Sequence, residues 1–356
     1  MSTRTLTNVV CAGCGCVCDD LRVTLDGDRV TRIEPHCPHA TTWFDRPELS
    51  SAEDVKAGVD AAAALLRTAK APLILGRSIG VKTARAAVAL AERLGGIFDP
   101  GGDAAATAAF QLVGKSTCTL GEMRERCDLV VLWGVDPDKS HPRFRERFIA
   151  ADSTVVSQPA PTYEQLTALR AALADGVSEE NPLAAQLQTC RAGAFVFGNG
   201  LPTETVAALF SLTRDLNART RFYVCELRGE CGGEAAGTWL TGYAGGVDFS
   251  PGYPREASAE RVLSRGEADV AIVLGDQSTA RLSAAAQANL ARIPRIRVHW
   301  ADESAPAAVR ILTAKPGVDA PGVAYRLDDV PLPLRAILPP SRPTASEVLA
   351  RIHAAL

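Results

Sequence analysis

The chain has little of several things. Aromatics make up 5% of its 356 residues, histidine occurs five times and methionine twice, and neither sign of charge dominates, with 38 Lys and Arg against 41 Asp and Glu. A formal charge of −3 implies no surface built to grip a polyanion, so no nucleic-acid partner is expected. No apolar run reaches the roughly 18–20 residues of a membrane helix, so no membrane attachment is expected either. The opening Met1-Ser2-Thr3-Arg4-Thr5-Leu6 has no apolar stretch of the secretory kind, and a soluble, cytoplasmic protein is expected. Nucleophile elbow, Walker loop and His-Glu-x-x-His zinc helix are all missing. A self-contained hydrolase is therefore not visible.

What the chain does have is apolar residues, at 47%, enough for a sizeable core in two or three domains. It also has cysteine. Four of its ten, Cys11, Cys14, Cys16 and Cys18, crowd one turn, and Cys37 follows. A secreted disulfide framework would spread its pairs through a small domain, and thiols this dense cannot all pair without straining short loops. Metal ligation is the better physical account. Cys-x-x-Cys-x-x-x-Cys lets three sulfurs converge and a later cysteine closes the set, as an iron–sulfur cluster or a zinc ion requires. The relic of a lost metal site is the third reading. His36 and His39 flank Cys37 and read as loop residues.

Along the chain, Leu21 to Leu25 and Val30 to Ile33 alternate around Asp26-Gly27-Asp28, a short hairpin. From Ser51 onward Ala/Leu-rich helical stretches alternate with short, wholly apolar strands at Pro72–Gly76, Leu129–Gly134, Ala194–Gly198 and Val270–Gly275, the mark of parallel sheets covered on both faces. The expected fold is α/β: a cysteine-rich hairpin module over 1–50, one α/β domain over 51–180, a second over 181–300 and C-terminal strands and helix over 301–356 packing back on the core. The seam between the α/β units is placed at 175–182. Gly198-Asn199-Gly200-Leu201-Pro202-Thr203 opens a helix, where backbone N–H groups could meet an anion, although it lacks the third glycine of a dinucleotide fingerprint. Gly275-Asp276-Gln277-Ser278 holds an equivalent place. Arg143 and Arg145 could clamp an anion, but a solvated helix start is the plainer reading.

Several stretches, in order along nearly the whole chain, resemble one family. They include Cys11-Ala12-Gly13-Cys14-Gly15-Cys16-Val17-Cys18-Asp19-Asp20, Thr117-Cys118-Thr119-Leu120-Gly121-Glu122, Trp133-Gly134 with His141-Pro142-Arg143, Arg214-Asp215-Leu216-Asn217, Phe249-Ser250-Pro251-Gly252-Tyr253-Pro254-Arg255 and Ala324-Tyr325-Arg326-Leu327-Asp328. The family is that of the formylmethanofuran dehydrogenase B subunits, among the molybdopterin oxidoreductases of the dimethyl sulfoxide reductase type. The resemblance implies α/β domains enclosing a pterin, with the last pterin-binding barrel on another subunit. It implies a [4Fe–4S] cluster on Cys11, Cys14, Cys18 and Cys37, leaving Cys16 as an extra. It also implies a cysteine or selenocysteine on tungsten or molybdenum, followed by His-Gly-Pro-Ser.

That last stretch falls on Gly102, Asp103, Ala104, Ala105 and Ala106, where thiolate and histidine are both missing. A metal held by soft sulfur cannot keep the bond to a residue without a side chain. Cys118 is a distant substitute, and Arg228-Gly229-Glu230-Cys231-Gly232-Gly233-Glu234 also drifts from the family towards small residues. The chain therefore resembles most the B subunit of the bacterial formyltransferase/hydrolase complex of tetrahydromethanopterin-linked one-carbon metabolism, which converts formyl-tetrahydromethanopterin to formate through a methanofuran analogue. The resemblance implies a scaffold without catalysis of its own. No molybdopterin or tungstopterin is expected, and the N-terminal cysteines would carry [4Fe–4S], zinc or nothing. The implied partners are formyltransferase, amidohydrolase-like and C-type subunits, with contact to the anionic tail of the methanofuran analogue one further option. An active tungsten or molybdenum subunit is the alternative.

Overall fold

A computed structural model describes residues 3–45, 54–175, 181–275, 282–301, 306–340 and 342–356. The chain opens with an antiparallel sheet of β1 (Thr3–Val9), β2 (Leu21–Asp26) and β3 (Arg29–Glu34). The expected hairpin is β2–β3, turning at Gly27, whose φ of +58° suits a residue without Cβ. Leu21, Val23 and Leu25 alternate inward and pack on Phe44 of α1 (Pro38–Phe44) and on Ile337 and Leu338 from the far end of the chain.

Next come α2 (Val55–Thr68), β4 (Pro72–Gly76), α3 (Val81–Leu94) and β5 (Ile97–Asp99). The middle of the chain carries α4 (Ala104–Val113), α5 (Leu120–Arg126), β6 (Leu129–Trp133), α6 (Pro137–Ser140), α7 (Phe144–Phe148), β7 (Thr154–Gln158), α8 (Tyr163–Asp175), α9 (Pro182–Thr189), β8 (Ala192–Gly198), α10 (Thr203–Leu216) and β9 (Arg221–Leu227). The remainder is α11 (Gly232–Thr241), β10 (Val247–Asp248), β11 (Arg255–Glu256), α12 (Ala259–Ser264), β12 (Val270–Leu274), α13 (Ala284–Arg292), β13 (Arg295–His299), β14 (Val309–Leu312), β15 (Gly322–Tyr325), β16 (Pro331–Leu334) and α14 (Ala345–Ala355).

Two sheets organise these elements. One is all parallel, in the order β7-β6-β8-β9. The other runs β11-β10-β5-β4-β12-β13-β14, parallel except at its β10–β11 end. The fold is the expected α/β class, and every residue of β4, β6 and β12 is buried, which is why these strands read as unbroken apolar runs. Aromatics fill the four-stranded layer: Phe195 lies 4.6 Å from Phe222 and 6.3 Å from Trp133, centroid to centroid. A Cβ on Gly193 would sit 2.2 Å from the Phe222 ring, so only glycine fits there.

The sequential division into 51–180 and 181–300 does not match the sheets. Strands β6 to β9 run through residue 180 into a single sheet, while β4 pairs with β12, Leu73 opposite Ala271. The middle segment is thus inserted into the larger sheet. The seam expected at 175–182 falls between α8 and α9 of one layer, with residues 176–180 outside the described part. Residues 276–281, including most of Gly275-Asp276-Gln277-Ser278, are also outside the described residues.

Candidate functional site

The cysteine turn is folded tightly on itself. Cys11 N–H donates to the Cys18 carbonyl (2.8 Å), Val17 N–H to the Cys14 carbonyl (3.2 Å) and Gly13 N–H to the Cys11 sulfur (3.3 Å). A Cβ on Gly15 would fall 2.0 Å from the Arg228 carbonyl oxygen, so the turn lies flat on the chain just after β9. Asp19 and Asp20 complete the dock. Arg143 is buried and makes a fork onto Asp20 (2.8 and 2.7 Å), while Arg147 reaches Asp19 and Asp20, each at 2.7 Å. Partial burial would raise the Asp20 carboxyl, but the hydrogen bond from Arg143 and the charges of both arginines together hold it below its usual range. The arginine pair expected as an anion clamp or a solvated helix start is therefore split: Arg143 is engaged inside the protein and Arg145 pairs with Asp138 (3.0 Å).

Arg228 is the hub. Its Nη2 meets Asp329 at 2.7 Å and its Nη1 lies 3.8 Å from Glu226. Its carbonyl accepts from His141 Nε2 (2.9 Å), and burial lowers the pKa of that imidazole, which favours the neutral form. Around the hub stand three carboxyls from one stretch of chain. Burial raises Glu226, and it pushes Glu230 and Glu234 up to about 7 each. Sequence reading missed this trio. Its only signal was Glu230-Cys231-Gly232-Gly233-Glu234, acids interleaved with glycines, which reads as drift towards small residues until the fold buries it.

Gly102 to Ala106 follow β5 through Gly101, whose φ of +67° sets the turn. Asp103 caps α4 by accepting from Ala105 N–H (3.0 Å) and also accepts from Gly200 N–H. The Gly198–Thr203 loop does meet an anion, and the anion is internal. At Gly102 a Cβ would lie 2.1 Å from Cδ of Glu234. Beyond α4 a shallow cleft, open to solvent, is lined by Phe110, Lys115, Cys118, Glu226, Arg228 and Asp329 among others. Ala106 borders it and Gly102 does not. Burial pushes the Cys118 thiol up, away from the thiolate a metal would need.

No family model matches the chain. It is 28% identical to the B subunit of tungsten-containing formylmethanofuran dehydrogenase 2 of Methanocaldococcus jannaschii, over 95% of this chain and 94% of that protein. The same-named subunit of Methanococcus maripaludis is also 28% identical, over 93% of each chain. The B subunit of the formyltransferase/hydrolase complex Fhc of Methylorubrum extorquens is 28% identical over 63% of this chain and 72% of that one. Among solved structures, a chain of the FhcABCD complex of Methylorubrum extorquens, determined with methylofuran, superposes with a TM-score of 0.70 at 27% identity, covering 86% of this chain and 96% of that chain. The chain is a homologue of these B subunits.

Homology leaves the cysteines to be judged by their geometry. Cys11 and Cys37 belong to the apolar core of the N-terminal module, whereas Cys16 and Cys18 pack beneath the four-stranded sheet with Cys14 at its margin. Burial raises the Cys11 and Cys18 thiols, and Cys16 is raised foremost by the hydrogen bond it shares with Cys14, which lowers Cys14 in turn. Among the described residues no three Cys, His, Asp or Glu side chains converge as metal ligands. Cys14, Cys18 and Cys37 nonetheless all bear electrostatically on the Cys11 thiol. No helix among the described residues is long and apolar enough to cross a membrane.

Proposed function

We propose that this chain is the non-catalytic B subunit of a formyltransferase/hydrolase complex in tetrahydromethanopterin-linked one-carbon metabolism. It acts in the cytoplasm as the scaffold for formyltransferase, amidohydrolase-like and C-type subunits. The complex moves a formyl group from formyl-tetrahydromethanopterin to a methanofuran analogue and hydrolyses it to formate. Formate leaves free, so the scheme asks no electron transfer of this chain. The observation that carries the reading is position 102, where the chain offers bare backbone and its neighbour Asp103 is already engaged by α4 and Gly200. A soft metal needs a soft donor, and none is supplied there.

Elemental analysis of the intact purified complex tests it. Molybdenum and tungsten are expected well below one atom per copy of this chain, and a stoichiometric amount of either would overturn the reading. The 28% identity to tungsten-containing relatives over 95% of the chain favours the second reading, an active dehydrogenase subunit. Dye-linked oxidation of formylmethanofuran by the complex would select it.

A further inference from the structure

We infer that Glu234 closes the vacated position, so that Gly102 and Glu234 form a complementary pair in which the carboxyl needs the missing side chain. The meaning of this pair rests on the scaffold reading; its geometry does not. Gly101 has the positive φ of this turn and Gly102 does not, so the backbone at 102 would accept any residue. Volume is what any side chain there must contend with. A Cβ at 102 would stand 2.6 Å from Cγ, 2.1 Å from Cδ and 2.3 Å from Oε1 of Glu234, all far inside van der Waals contact.

The glutamate cannot retreat with its helix. The first turn of α11 is pinned from behind, because a Cβ on Gly233 would lie 2.4 Å from the Ile79 carbonyl oxygen and one on Gly232 would lie 2.6 Å from Glu230 Oε1. Only side-chain rotation is left. Besides altering its burial, rotating the carboxyl changes its place among Arg228 and Arg77, which lower its pKa, and Glu226 and Glu230, which raise it. A residue larger than glycine at 102 must therefore force Glu234 out of a seat set by two arginines and two acids. Restoring a thiol at 102 therefore also requires the Glu234 carboxyl to move out of its seat.

Full-length wild type, Gly102→Cys, Glu234→Ala and the double variant test this by thermal unfolding, with maleimide labelling of the new thiol located by peptide mass spectrometry. Gly102→Cys should lower Tm by several degrees in the wild-type background and by little in the Glu234→Ala background, with coupling well beyond additivity. The new thiol should label at least tenfold faster in the double variant. Equal Tm losses in both backgrounds, or equal labelling rates, would overturn the pairing. If Gly102→Cys does not fold, Gly102→Ala with and without Glu234→Ala supplies the same comparison. Stoichiometric tungsten in the complex would sink the scaffold reading and leave this coupling standing, and uncoupled variants would do the reverse.

Discussion

A carboxyl deprived of water holds its proton, and Glu230 shows the consequence for stability. Its Oε1 accepts from Gly232 N–H (2.9 Å) and Tyr325 N–H (3.0 Å), yet burial outweighs both bonds and pushes it from 4.5 up to about 7. The folded chain thus binds a proton that the unfolded chain releases near 4.5. Stability from this group is complete below that pH and is lost as pH rises towards 7. Glu230→Gln keeps an oxygen for both N–H donors and removes the titration. Its Tm should fall less than the wild type's between about pH 5 and pH 8, followed by calorimetry, and an unchanged slope would reject the assignment. That position 102 carries no side chain can be read from letters. The sequence hid Glu226, Glu230 and Glu234, because an acid's burial depends on what folds over it from Tyr325 and Gly102, which are far away along the chain.

Short local devices hold the elements in place, and two can be measured. Asp103 both caps α4 and tethers the loop after β8. Asp103→Ala should cost about 1–2 kcal/mol in urea unfolding, near the upper range for a lost cap, with Asp103→Asn recovering most of it. Arg143 joins α7 to the cysteine turn through a fork onto Asp20, with its own side chain 5% exposed. Asp20 can regain water, so Arg143→Ala should cost about 2 kcal/mol rather than the larger loss of a wholly buried pair. Lysine should restore only part, since it cannot form the fork. Strands β4, β6 and β12 were readable from their continuous apolar residues. β1 was not, because nearly all of it faces outward and shows no alternation. β10 and β11, two residues each, are shorter than any periodicity.

For the molecule as a whole, the sheets cross the expected boundary, and this too can be tested. A fragment of residues 54–180 would retain β4 to β7 and lose β12 beside β4 and β8 beside β6. Both sheets would present raw apolar edges. The fragment should show no cooperative unfolding transition by circular dichroism, whereas an independently folded domain would show one. The class of fold was visible in the alternation of helices and apolar strands. The sharing of strands was not, because pairing between Leu73 and Ala271 is a long-range choice that no local pattern encodes.

The four tryptophans are Trp43, Trp133, Trp239 and Trp300, and they differ sharply in surroundings. Trp133 is buried, Trp43 and Trp300 lie edge to face at 6.1 Å, and Trp239 on α11 stands 89% exposed. The chain therefore carries its own optical gauge. A collisional quencher will reach one indole long before the others, and any molecule that settles on that helix will shield it. Fluorescence titration of the natural protein can follow binding at that helix without a dye.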